Sequence, residues 1–228
     1  MYSGFRLMTT NLLQDRCDVS RFTQVLDDVS PDLVVAQELA PGPAEALAQR
    51  YPYTLLHPSL DFTGRGIASR IRADFDDIAM PARNGTAASF EIGGEPVRLA
   101  GIHLMNPISF PWWRSGRARS RQVRAVAGWL DLRPGPVVVA GDFNASPAWP
   151  AYKAMEGRLT DLVAEEAAAR GAKPEPTWGW RPGWPRMLRI DHVFGVGVRA
   201  REALVVPISG SDHAALVVDI ELTPAVGP

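Results

Sequence analysis

An α/β sandwich of two sheets is the fold this sequence predicts, on three observations. Short apolar runs rich in β-branched residues, such as Val137-Val138-Val139-Ala140 and Leu33-Val34-Val35-Ala36, have no polar face. Such runs read as strands buried on both sides. Stretches with helical spacing lie between them. Each half of the chain runs strand, helix, strand and then into shorter alternating strands, which points to two sheets related by pseudo-symmetry.

Taken in order, Phe5 to Leu12 reads as a strand with the polar tip Thr9-Thr10-Asn11. Asp18 or Ser20 can cap a helix whose apolar positions Phe22, Val25, Leu26 and Val29 share a face, and Ser30-Pro31 stops it. Asp32 to Leu39 is a second buried strand, tipped by Gln37-Glu38. A right-handed crossover brings both tips to one sheet edge, so Asn11 and Glu38 are expected as neighbours. A short helix follows Pro43, and Tyr53 to His57 reads as a strand. Gly66–Ile71, Phe75–Met80, Thr86–Ile92 and Pro96–Leu104 read as a run of alternating strands, with a hairpin at Gly93-Gly94.

The last of these strands ends in His103, followed by Asn106-Pro107, and residues 105–116 read as a loop carrying Trp112-Trp113. Arg117 to Leu130 reads as a helix with Val123, Val126, Ala127 and Leu130 on one face. It leads into the central strand, which breaks off in Gly141-Asp142-Phe143-Asn144. If the backbone stays extended there, Asp142 and Asn144 point the same way. Asp and Asn are also common turn residues, and for this pair alone the turn reading stands beside the site reading. Gly171 to Leu188 reads as a long polar loop containing Trp178, Trp180 and Trp184; loops of that length are usually functional or mobile. Arg189–Phe194, Val198–Val206 and His213–Leu222 read as an antiparallel meander, which would bring Asp191 and His213 to one edge. An Asp beside a His fixes the imidazole tautomer and raises its basicity.

With 228 residues, a single domain over 1–228 with a short tail at 223–228 is expected. Hydrophobic content of 46% and charged content of 21% argue against disorder. A net charge of −1 argues against gripping nucleic acid by bulk charge, though not against a local basic rim. Cys17 alone excludes an internal disulfide and a multi-cysteine zinc site. No apolar run reaches the roughly 20 residues of a membrane span. No signal-peptide pattern opens the chain, so a cytoplasmic protein is expected, with a processed exported form left open. The oligomeric state is left open too.

Each polar tip has a bland reading as a cap, a turn or a solvated strand end. Together they are Asn11, Glu38, His103, Asp142 with Asn144, Asp191 and Asp212-His213, each at the end of an apolar strand. Carboxylates, amides and histidines without thiols suit a hard cation, Mg²⁺ or Mn²⁺. Such a cation beside an Asp–His pair suits phosphoester hydrolysis.

The series Thr10-Asn11, Gln37-Glu38, Gly101-Ile102-His103, Gly141-Asp142-Phe143-Asn144, Arg189-Ile190-Asp191-His192 and Ser211-Asp212-His213 resembles the endonuclease/exonuclease/phosphatase superfamily. The match spans residues 5–222. The resemblance implies a four-layer α-β-β-α sandwich of two mixed sheets flanked by helices. It implies a metal on Glu38, with Asn11 and Asp212 helping to arrange metal or phosphate. It implies catalytic roles for His103, Asp142, Asn144, Asp191 and His213, in an in-line displacement at phosphorus. One phosphate is expected to reach Asp142, Asn144, Asp191 and His213 together.

A phosphoester substrate is implied, and a nucleic acid and a phospholipid-like phosphodiester both stay open. Arg114, Arg117, Arg119, Arg121 and Arg124 form either a solvated helix face or a substrate rim. The loop tryptophans are packing anchors or surfaces for a base or an acyl chain. Asn106, Arg114, Arg117, Trp180 and Trp184 are the candidate substrate contacts.

Overall fold

The computed structural model describes residues 4–107, 112–132 and 135–223, without the side chains of 112–114. In chain order the elements are β1 (Gly4–Gln14), α1 (Val19–Val29), β2 (Leu33–Leu39), α2 (Pro41–Arg50), β3 (Tyr53–His57), β4 (Arg65–Ser69) and β5 (Ala73–Ile78). There follow β6 (Gly85–Ile92), β7 (Glu95–His103), α3 (Trp112–Asp131), β8 (Val137–Asp142), α4 (Pro150–Glu156), β9 (Thr160–Asp161) and α5 (Leu162–Ala169). The chain closes with β10 (Trp178–Gly179), β11 (Arg186–Leu188), β12 (Asp191–Val196), β13 (Val198–Pro207) and β14 (Ala214–Leu222).

Two six-stranded sheets form the body, ordered β13-β14-β1-β2-β4-β3 and β5-β6-β7-β8-β12-β9. Both are mixed: β1–β2 and β7–β8 are parallel and the other pairs antiparallel. Period-2 alternation sends successive side chains to opposite faces, and three apolar layers result. Between the sheets lie Phe5, Leu7, Leu33, Val35 and Leu216 from the first and Phe90, Leu99, Val138, Ala140 and Val193 from the second. Met8, Val34 and Ala36 turn outward under α1 and α2, meeting Phe22, Leu26 and Leu47. Ala100, Ile102, Val137 and Val139 turn outward under α3 and α4, meeting Val126, Tyr152 and Met155. This is the four-layer sandwich.

Asp18, not Ser20, caps α1, its carboxylate accepting from Arg21 N. Gly93 and Gly94 both have positive φ, as a two-residue hairpin turn requires. Four expectations need correction. The strands of 66–104 are not one meander: β4 joins the first sheet beside β2, while β5, β6 and β7 build the second. The strands of 189–222 are likewise divided, β12 pairing with β8 and the chain crossing at Gly197 to β13 and β14. Local patterning shows that a strand exists, whereas its partner is chosen by burial across the whole sandwich. The loop read over 105–116 is shorter, because α3 already begins at Trp112. The loop read over 171–188 contains the β10–β11 hairpin. The tail at 223–228 lies outside the described residues beyond Thr223.

The strand directions gather the polar tips. Parallel β1 and β2 end at one edge, and so do parallel β7 and β8. Antiparallel β12 begins at that edge, Asp191 facing Asp142 across the ladder, and antiparallel β14 begins there just after His213.

Candidate active site

Asp142 is the hub, 1% exposed at the end of β8. Its Oδ2 accepts from Asn11 Nδ2 at 3.2 Å and Asn144 Nδ2 at 3.1 Å, and its Oδ1 accepts from Asn144 N at 2.7 Å. His103 Nε2 lies 3.3 Å and His213 Nε2 3.9 Å from the same Oδ2. Burial alone would raise the Asp142 pKa. The His213 charge, the His103 hydrogen bond and charge and the Asn144 N–H outweigh it and hold the carboxyl well below the usual range.

Asp142 and Asn144 do converge, but through a turn rather than an extended chain. Asn144 has φ 47°, and its backbone N–H and side chain both fold back on Asp142. The turn reading and the site reading therefore describe one object. Gly141 makes it possible: its φ is 146°, and a Cβ there would lie 1.9 Å from the Ile102 carbonyl oxygen.

Glu38 lies beside Asn11, as the crossover predicts. Asn11 Nδ2 donates to Glu38 Oε1 at 3.3 Å, and Gln14 Nε2 donates to Oε2 at 2.9 Å. Asn11 Oδ1 meanwhile accepts from Leu13 N, so this side chain turns its N–H groups to both carboxylates. Leu13, Gln14 and Glu38 all adopt positive φ. Left-handed backbone at non-glycine residues persists only where the surroundings impose it, and it clusters at functional sites.

His213 and Asp191 are hydrogen-bonded, Nδ1 donating to Asp191 Oδ2 at 2.9 Å. Their strands belong to different sheets, so the contact spans the mouth of the sandwich. Burial would lower the His213 pKa, but the charges of Asp191 and Asp142 and the Asp191 hydrogen bond push it up to about 10. Ser211 sets the entry to β14, its hydroxyl donating to the Asn11 carbonyl and accepting from His213 N. Asp212 Oδ2 accepts from Trp178 Nε1 at 3.1 Å, while its Oδ1 is buried without a partner. Burial raises the Asp212 pKa, against the His213 charge and the Trp178 hydrogen bond.

For a metal the donor chemistry is oxygen-rich. Asp142, Asp191 and His213 offer ligand atoms within 4.8 Å of one another. His213 Nδ1 and Asp191 Oδ2 are already spent on each other, and Asp142 on three N–H groups. The Glu38 and Asp212 side keeps a buried carboxylate oxygen, Asp212 Oδ1, without a hydrogen-bond partner, on two half-buried residues, and fits a hard cation better. Cys17 is buried, and burial raises its thiol to about 12.

The candidate substrate contacts are scattered. Asn106 is exposed on the loop after His103. Arg114's side chain lies outside the described residues, as do those of Trp112 and Trp113. Arg117 is exposed on α3. Trp184, 57% exposed, lines a cavity of about 520 Å³ with Arg21, Arg181, Asp212 and His213. Trp180, 59% exposed, packs edge-on against Trp178.

Sequence reasoning missed several residues that hold the site. Arg119, read only as part of a charge row, turns inward and donates to the Asn144 carbonyl at 3.0 Å. Gln122, on the buried side of α3, donates to the Pro81 carbonyl and accepts from Met105 N. Thr177 Oγ1 accepts from both Ile190 N and Asp191 N. On the opposite side of β12 from Asp191, His192 Nε2 donates to the Ala145 carbonyl at 2.7 Å. Its Nδ1 accepts from Arg189, which is paired with Asp161 at 2.6 Å. The signal available was the motif Arg189-Ile190-Asp191-His192, in which the successive residues Asp191 and His192 face opposite sides of the strand.

A family model described as endonuclease/exonuclease/phosphatase family matches residues 8–213. No curated protein matches the chain. Among solved structures it is similar to a humanized D. rerio TDP2, with a TM-score of 0.77 and 21% identity over 96% of this chain and 99% of that one. It is also similar to the human Nocturnin catalytic domain with bound sulfate, with a TM-score of 0.72 and 18% identity over 98% and 96%. A Neisseria 3′ phosphatase, NExo, bound to a product DNA hairpin, gives a TM-score of 0.68 and 20% identity over 96% and 99%.

Proposed function

Because this chain belongs to the endonuclease/exonuclease/phosphatase family, we propose that it is a divalent-metal-dependent phosphoesterase that hydrolyses a phosphodiester in nucleic acid by in-line attack of water. The observation that carries this reading is the Asp191–His213 pair standing 3.9 Å from Asp142. It joins a cationic donor to an anionic acceptor across the mouth of the sandwich.

Glu38 and Asp212 would hold Mg²⁺ or Mn²⁺, which supplies charge neutralisation at the phosphate when bound. Asp142, ionised at neutral pH, accepts the hydrogen bond that orients the attacking water. Asn144, whose amide hydrogens go to Asp142 and Leu104, and His103, beside the same carboxylate, fix Asp142 for that task. His213, protonated and steadied by Asp191, donates to the oxygen on which charge grows. Asn11 keeps Glu38 and Asp142 at a fixed separation. Trp184, on the cavity wall with Asp212 and His213, would meet a longer substrate, and Arg117 and Arg114 on α3 and Asn106 after His103 would be its further contacts.

Nucleic acid is favoured because Trp184, Arg21 and Arg181 share one cavity wall with Asp212 and His213, and pairing an aromatic face with guanidinium groups suits a base and its phosphate. A DNA-bound structural neighbour agrees with this. A phospholipid-like diester is the second reading, favoured by exposed Trp180, Trp184 and Met187 on the β10–β11 hairpin. No helix of the described residues is long and apolar enough to cross a membrane.

The test compares DNA, RNA, a phosphomonoester, a lipid phosphodiester and bis-(p-nitrophenyl) phosphate, each with Mg²⁺ and with chelator. Metal-dependent cleavage of DNA or RNA is expected. Cleavage of the lipid alone would move the assignment to the second reading. Full activity in excess chelator, with no metal in the purified protein, would sink the mechanism. No turnover of any substrate would leave a binding module on the same fold.

A further inference from the structure

One buried guanidinium at this site has no anionic partner. Arg83 lies in the Pro81–Asn84 turn between β5 and β6 and is 8% exposed. The turn is held in a shape that its residues would not choose alone. Ala82 takes a left-handed φ of 70°, which is disfavoured with a Cβ present. Asn84 Oδ1 accepts from Met80 N at 3.3 Å, and the Pro81 carbonyl accepts from Gln122 on α3 at 3.0 Å. So restrained, the turn delivers the guanidinium over the Phe62 ring, 4.7 Å from its centroid. Nη1 comes 2.7 Å from each ring nitrogen of His103.

That placement is costly for a cation. Arginine stays charged at any ordinary pH, and a charge withdrawn from water needs a partner. Arg83 Nε is buried with no hydrogen-bond partner. Among the described residues no carboxylate lies within the 4.0 Å of an ion pair with it. Asp142, Glu38 and Asp61 act on it only through space. Asp142 is one imidazole away, since His103 Nε2 sits 3.3 Å from Asp142 Oδ2. An anion entering beside His103 would complete the guanidinium's surroundings.

We propose that Arg83 is an anion-binding residue of this site, taking a phosphoryl oxygen of the substrate beside His103. This assignment rests on the phosphoesterase reading for its biological meaning, but not for its test. Two cationic groups then share the phosphate: Arg83, fixed by its turn, and His213, fixed by Asp191. The fork of a guanidinium suits phosphate oxygens in a way that an ammonium does not.

The test is titration of inorganic phosphate into wild type, Arg83→Met and Arg83→Lys at matched ionic strength, with folding checked by thermal unfolding. Arg83→Met should lose about 10-fold or more in phosphate affinity, as expected for a charge-assisted hydrogen bond. Arg83→Lys should lose several-fold because its donors cannot form the fork. Free guanidinium ion should restore part of the Met variant's phosphate binding, and sodium chloride at equal ionic strength should not. Wild-type affinity in a folded Met variant would overturn the assignment, showing that Arg83 only balances the acidic cluster. If the Met variant does not fold, unchanged affinity in the Lys variant overturns it. So does the absence of measurable phosphate binding by wild type. Arg83-dependent phosphate binding without phosphoester turnover would refute the proposed activity and keep Arg83. Turnover with phosphate binding indifferent to Arg83 would do the reverse.

Discussion

At the scale of single residues, Asp142 and His213 displace one another in opposite directions, with His103 adding to the fall of Asp142 and Asp191 to the rise of His213. Both shifts are statements about stability. His213 moves from an ordinary 6.5 up to about 10. Its contribution is full below about pH 6.5 and is lost as pH rises through about 10. Asp142 moves down from 3.8, so its contribution is present above that pH and is lost as pH falls below it. In chelator, so that no cation intervenes, urea midpoints of wild type should decline between pH 6.5 and 10, and His213→Gln should flatten that limb. An equally steep decline in the variant would show that another group carries it. In catalysis, His213→Ala and Asp142→Asn should each cost about 10²-fold or more in kcat, the scale for losing an acid–base or charge-stabilising group. The double variant should lose less than the product, because both groups act on one transition state. Asp191→Asn removes the largest influence raising His213 and should move the alkaline limb of kcat to lower pH. A limb that stays in place would assign it to a different group.

Elements position these residues mostly through turns and through a buried polar network behind the site. The Gly141–Ala145 turn is gripped from three sides: Leu104 and Arg119 hold Asn144, and His192 holds the Ala145 carbonyl. Behind it Arg189, Asp161 and Tyr152 form a buried cluster, in which Asp161 also caps α5 through Ala164 N. Burial would raise the Asp161 pKa, but the neighbouring His192 and the paired Arg189 guanidinium hold it well below the usual range. Asp161→Ala strands a buried guanidinium and removes a helix cap, and should cost about 3–5 kcal/mol in urea unfolding. A loss under 1 kcal/mol would show that the cluster relaxes freely. At this scale the sequence was partly legible. Strand tips, the Asp18 cap and the Gly93-Gly94 hairpin follow from local chemistry. Arg83, Arg119 and His192 could not be singled out, because a buried arginine and an exposed one look alike until the opposing surface is known. Sheet membership escaped for the same reason: β12 and β13 are separated by one glycine, yet belong to different sheets.

For the molecule as a whole, neither sheet holds the site alone. The first supplies Asn11, Glu38 and His213 with Asp212, and the second His103, Asp142 with Asn144, and Asp191. Folding brings several carboxylates to the mouth of the sandwich, where they repel one another except as Arg83 and His213 offset them. A divalent cation that binds this assembled mouth and not the unfolded chain must stabilise the fold by mass action, by about 2.7 kcal/mol at a hundred times its Kd. Mg²⁺ or Mn²⁺ should therefore raise the Tm of wild type in a concentration-dependent way, with no substrate present. Glu38→Gln keeps one acceptor oxygen for Asn11 or Gln14 and loses the charge that repels its neighbours, so its Tm in chelator should stay close to that of wild type. Its rise with added cation should largely vanish. Asp191→Asn, which leaves the Glu38 side intact, should keep the rise. If Asp191→Asn abolished it and Glu38→Gln did not, the cation would belong to the Asp142, Asp191 and His213 cluster, and Glu38 would lose its assignment as ligand.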